Sequence, residues 1–213
     1  MFLKKNYLLP LLFFTSISFS QIKDTFYVND VKTIEYVTVN YSVDKNGQIN
    51  KVILIPKMTT YKNDNALKKV TSFLKNFEYE LDSELINNNI DFTFLFVNKK
   101  YENSTLDESD YSKCSEYKMG QFRYKDVRVY ETEINRGREI QKEKNNNIDA
   151  ELKITWNNPC EYELEFINVR RKENQYLIGV KMKTKIIGLL KNSYIYKTNS
   201  NGMIFVGELI KIN

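Results

Sequence analysis

The chain has 213 residues, 42% apolar and 28% charged, which suits ordinary globular usage and excludes both wholesale disorder and a multi-span membrane protein. Its 32 basic and 27 acidic residues leave +5, too small an excess to call for nucleic acid or another acidic partner. There is no histidine, which removes His-based triads, imidazole acid/base work and His metal sites together.

Met1 to Lys5 is a basic start, an apolar run follows from Tyr7 to Phe14, and small residues stand at Ser18 and Ser20. This tripartite pattern predicts a secretory signal peptide over residues 1–20, cleaved after Ser20. The apolar run falls short of the roughly 20 residues a spanning helix needs. Pro10 also interrupts it, so no stable membrane span is expected after cleavage. No cysteine sits at the cleavage point, which favours release into the periplasm or the medium over a lipid anchor. Loss of Lys4 and Lys5 brings the mature chain to +3.

An exported chain meets oxidising surroundings, so Cys114 and Cys160, its two cysteines, are expected to form one disulfide. The loop it closes contributes about 4 kcal/mol by the chain-entropy relation. A metal site built on two cysteines would need carboxylates, and no suitable cluster lies near either one; no metal or cofactor is expected.

Thr33 to Val43 and Gln48 to Ile55 are both rich in β-branched residues and flank Asp44-Lys45-Asn46-Gly47, a strong hairpin signal. From Asp64 to Asn76, Leu67, Val70, Phe73 and Leu74 recur at helical spacing, with Asp64 expected to cap the first turn. Ile90 to Val97 predicts a buried strand, which completes a β-β-α-β module over residues 21–98. Residues 99–112 are polar and predict a linker, so that relative motion of the two modules is expected. Alternation dominates residues 113–213, with Leu152, Ile154 and Trp156 on one strand face and Tyr162, Leu164 and Phe166 on the next. Six to eight antiparallel strands are predicted there, as an open sheet or a small barrel. Opposite their apolar faces, Glu161, Glu163 and Glu165 form one charged row and Lys181, Lys183 and Lys185 another. Antiparallel pairing would set the two rows against each other. The fold class is therefore α+β.

The run Val37 to Ile49, the helix containing Ala66-Leu67 and the strand Asp91-Phe92-Thr93-Phe94 resemble the C-terminal domain of TonB-family proteins over about 65 residues. Asn76-Phe77-Glu78-Tyr79-Glu80 stands where that family often has proline and tryptophan. The resemblance implies a periplasmic interaction fold; energy transduction does not follow, for lack of an anchor and a Pro-rich spacer. The second module, with Cys114 to Tyr124, Ile140-Gln141-Lys142-Glu143, Ile154-Thr155-Trp156 and Cys160-Glu161-Tyr162, resembles a group of small exported bacterial proteins often labelled DNA topoisomerase IV. Export, short length and the want of a gyrase-type active site or basic stripe set that label aside. What the resemblance implies is architecture and compartment.

Arg136, Gln141 and Glu143 are the candidate ligand or partner contacts, because Gln141 and Glu143 share a strand face within reach of Arg136. On an inward face they would mark a ligand pocket; the favoured expectation is an outward salt bridge. Trp156 is expected over the disulfide, and Arg170-Arg171-Lys172 is expected to be a solvated turn, with an anionic surface as the alternative. There is no Gly-x-Ser-x-Gly and no histidine to act as base, so the chain is read as non-enzymatic, with no catalytic residue assigned. The expected function is an exported envelope protein that binds a protein partner through its TonB-like module. The alternative is a lipocalin-like carrier of a small apolar ligand in the second module.

Overall fold

Residues 24–212 are described by the structure, a computed structural model; the segment expected to be a signal peptide, residues 1–20, lies outside them. The predicted hairpin forms as β2 (Ile34–Val43) and β3 (Ile49–Leu54), joined by a turn in which the Asp44 carboxylate accepts from the amides of Asn46 and Gln48 at 2.8 and 3.0 Å. Gly47 has φ +79° and lies against the Tyr79 carbonyl, so a side chain there would meet both strain and a clash. β4 (Asn89–Asn98) pairs antiparallel with β2, and a strand the sequence did not reveal, β1 (Thr25–Val28), joins the far edge parallel to β4. The order is β1-β4-β2-β3.

Helix α1 (Asp64–Lys75) covers one face of this sheet with Ala66, Val70 and Leu74, against Val37, Val39, Tyr41, Phe94 and Phe96. Its cap is Asn63, one residue earlier than expected, whose side-chain oxygen accepts from the amides of Asn65 and Ala66 at 3.0 and 3.3 Å. Asn63 has the extended backbone a cap requires and donates to Asp30 at 2.6 Å, whereas Asp64 already opens the helix.

Residues 99–112 do not behave as a free linker. Tyr101 is buried, Leu106 packs on the core of the second unit, and the Ser104 hydroxyl donates to the Ile187 carbonyl at 2.7 Å. A five-residue helix, α2 (Tyr111–Ser115), follows.

The remaining strands are β5 (Gly120–Tyr124), β6 (Glu133–Arg136), β7 (Ile140–Lys144), β8 (Asp149–Asn158), β9 (Glu161–Val169), β10 (Lys181–Leu189), β11 (Ser193–Ser200) and β12 (Met203–Lys211). Each pairs with its neighbour in sequence, and β12 returns to β5 through Leu209↔Tyr124, Ile210↔Arg123 and Lys211↔Phe122, closing an eight-stranded antiparallel barrel. The charged rows meet as expected, with Lys181↔Glu165, Lys183↔Glu163 and Lys185↔Glu161 in register and Lys185 to Glu161 at 2.8 Å. At one end, α2 is fastened to the β8–β9 turn by the disulfide Cys114–Cys160, with Cα atoms 5.2 Å apart. At the other end, the β9–β10 connection sends Leu177 into the core.

Sheet and barrel share a third apolar cluster. Ile34, Tyr36, Leu95 and Val97, from the sheet face opposite α1, meet Ile187, Ile195 and Val206 from the barrel exterior, with Tyr101 beside them. A bulge in β10 sits at this contact: Ile186 and Leu189 belong to the barrel core, Ile187 belongs to the shared cluster, and Gly188 lies against the Tyr101 ring. Lys125 adds a polar tie, donating to Thr33 at 2.7 Å and to Glu208 at 3.0 Å. The expected freedom of the modules is thereby corrected, because apolar side chains on both partners leave water only in this arrangement. Among the described residues no helix is long and apolar enough to cross a membrane.

Candidate functional site

β6 is buried at Ile134 and Arg136 and exposed at Glu133 and Asn135; β7 is buried at Gln141 and Glu143 and exposed at Lys142 and Lys144. Register places Arg136 opposite Gln141 and Ile134 opposite Glu143, so all three candidate side chains enter the barrel. The expected outward salt bridge is corrected by this observation. The physical reason lies in β7, whose sequence Ile-Gln-Lys-Glu-Lys offers polar residues to both faces, so closing the barrel must take one polar row inside.

The interior satisfies that row. Arg136 Nε donates to Gln141 Oε1 at 2.6 Å, and Gln141 Nε2 donates to Glu143 Oε1 at 2.6 Å, so the amide relays between cation and carboxyl. Arg136 also donates to the Tyr117 carbonyl and the Tyr194 hydroxyl, both at 3.0 Å, and to the Tyr162 hydroxyl at 3.3 Å. Tyr124 donates to Glu143 at 3.1 Å, and the Tyr162 and Tyr194 hydroxyls share a bond of 2.9 Å. The guanidinium lies 4.8 Å from the Phe122 ring centre and 4.9 Å from that of Tyr162, within cation–π range.

Burial alone would lower the pKa of Arg136, but the Tyr194 and Tyr162 hydroxyls outweigh it and hold the guanidinium charged. Burial raises the Glu143 carboxyl, against opposing hydrogen bonds from Gln141 and Tyr124 and the attraction of Arg136. Burial likewise carries the Tyr124 and Tyr194 phenols well above their ordinary value, so neither serves as a base near neutral pH.

Around this network the barrel is packed with Phe122, Ile134, Leu152, Ile154, Leu164, Phe166, Ile186 and Leu209. Trp156 stands against Tyr162, with ring centres 4.6 Å apart, in the same buried cluster as Cys114 and Cys160. A shallow depression of about 450 Å³ opens to solvent beside β5, β6 and β7, lined by Gly120, Gln121, Asn135, Arg136, Gly137, Ile140 and Lys142. Among the described residues, no group of three or more Cys, Asp or Glu side chains is placed to hold a metal ion.

No family model matches the chain, and no curated protein or solved structure matches it either.

The arrangement holds one cation at a fixed point by hydrogen bonds and ring faces, and fixes the register of β6 against β7. Sequence reasoning found Arg136, Gln141 and Glu143 and missed Tyr117, Tyr124, Tyr162 and Tyr194, which complete their bonding. Phe122/Tyr124 and Tyr194/Tyr196 carry the available signal, since aromatic pairs at alternate positions share one strand face.

Proposed function

We propose that this is an exported, non-enzymatic envelope protein whose four-stranded unit binds another protein by strand addition at β3. The observation that carries this reading is the open edge of that strand. β3 ends the sheet order, Ile53 is exposed on it, and among the described residues the only bridge beside it on that side is Gln48 to Glu78, just before its first residue. The Ile55 amide donates to the Thr38 carbonyl, so Ile53, two residues earlier, turns its backbone groups toward β2, and Val52 and Leu54 turn theirs outward. Unpaired groups of this kind form a template for an incoming strand. The resemblance of this segment to TonB C-terminal domains supports the same reading, and the disulfide supports an oxidising compartment.

The carrier alternative draws on the closed meander barrel, an architecture that encloses small ligands in other proteins. The side chains filling this interior weigh against it.

A pull-down from envelope extract with the mature chain, run beside Val52→Pro, tests the proposal. That substitution removes an outward N–H and spares the β2–β3 ladder. Capture of a defined envelope protein by the parent chain and its loss in Val52→Pro, with circular dichroism unchanged, is the expected result. Equal capture by both chains, or a co-purifying metabolite in place of a protein, overturns it.

A further inference from the structure

The end of the barrel opposite the disulfide carries an unusual surface. In the β9–β10 connection, Leu177 is 3% exposed and plugs the barrel, while Ile178 is 51% and Tyr176 55% exposed. The chain thus buries one apolar residue and presents the two beside it to solvent. Ile167 and Ile204 are exposed nearby: Phe166, next to Ile167, accepts from the Gly179 amide at 2.8 Å, and Ser200, in the β11–β12 hairpin, donates to the Lys181 carbonyl at 3.3 Å. The same connection begins with Arg170, Arg171 and Lys172 and contains a single acid, Glu173.

We propose that this end of the barrel docks peripherally on an anionic lipid surface, with Tyr176 and Ile178 entering the headgroup region and Arg170, Arg171 and Lys172 facing the phosphates. Two features favour lipid over a protein partner. The apolar side chains stand more than half exposed on an end that Leu177 has already closed, so they project outward from the barrel. The charge beside them is of one sign in excess, complementary to phosphate, and an aromatic residue with an aliphatic one next to basic side chains is the composition that interfacial anchoring uses. Arg170 and Arg171 have carboxylate neighbours at 3.6 Å, Asp149 and Glu173 respectively, and Arg170 also acts on the Glu151 carboxylate, so Lys172 supplies the excess positive charge.

Co-sedimentation with phosphatidylcholine vesicles, with and without 30% phosphatidylglycerol, tests this on the mature protein. Binding to the anionic vesicles is expected, weakened about a hundredfold when the three basic residues are changed together to Gln, as one kcal/mol or so per charge implies. Tyr176→Ser with Ile178→Ser should weaken it severalfold, and Tyr176→Phe should restore it. Retained circular dichroism in each variant separates a lost surface from a lost fold. Binding indifferent to phosphatidylglycerol, or unchanged in the serine variant, overturns the proposal. So does a protein captured by this end in the absence of any vesicle binding.

Discussion

Replacing both Cys114 and Cys160 by Ala isolates what the disulfide contributes. The two residues are 46 apart in sequence, both are buried, and the bond is the covalent tie between α2 and the β8–β9 turn. Freeing a loop of that length in the unfolded chain costs about 4 kcal/mol by the chain-entropy relation. For a chain of this size that is a fall in Tm of about 8–16 °C. Urea unfolding followed by far-UV circular dichroism is the assay, with reduced parent protein as the second sample. The slope against urea should also rise in the variant, because an uncrosslinked denatured state exposes more surface. A loss below about 1 kcal/mol, with unchanged slope, would refute the reasoning and show that packing alone holds α2 on the barrel.

Three further outcomes follow from the packing and the titration. Gly188→Ala places a Cβ inside contact distance of the Tyr101 ring and should cost about 1–3 kcal/mol; coupling with Tyr101→Ala in a double-mutant cycle checks that this contact is the cause. Among the described residues the buried Tyr36 hydroxyl has no hydrogen-bond partner, so Tyr36→Phe should stabilise by about 1 kcal/mol in chemical denaturation, and a loss of that size would contradict the geometry. Burial raises the Glu143 carboxyl above its ordinary 4.5, so as pH climbs from there the unfolded chain releases its proton first and stability falls. Glu143→Gln, which can still accept from Gln141 and Tyr124, should therefore be more stable than the parent at pH 7 and equal to it near pH 4; the same difference at both values would be inconsistent with a buried carboxyl.

The legible parts of this fold are those written in local period. Val, Tyr and Ile flanking Asn46-Gly47 specify the β2–β3 hairpin, and the glutamate and lysine rows of β9 and β10 specify partner and register together, since a slip of one residue between them would set the lysines of one strand beside the apolar face of the other. Closure of the barrel was not legible, because β12 meets β5 in three registered pairs about 87 residues apart, a contact without local signature. Arg136 was misplaced because a charge at an alternate strand position ordinarily marks the wet face. Ile134, two residues before it, was the better witness, since residues two apart share a face. The shared cluster was hidden for a similar reason. Tyr194 and Ile195 are adjacent and both fully buried, which no one-sided strand allows; only a second body lying on the barrel explains it.

That last contact bears on how the chain can be dissected. Cutting between residues 99 and 112 would leave Ile34, Tyr36, Leu95 and Val97 bare on one fragment and Ile187, Ile195 and Val206 bare on the other. Each fragment would then carry a sticky surface that the intact protein never shows, and would report self-association in place of native binding. The two halves are best treated as one inseparable unit of selection: substitutions on the outside of β10, β11 and β12 are constrained by a neighbour about 90–170 residues earlier in the chain, as tightly as those inside the barrel are constrained by each other.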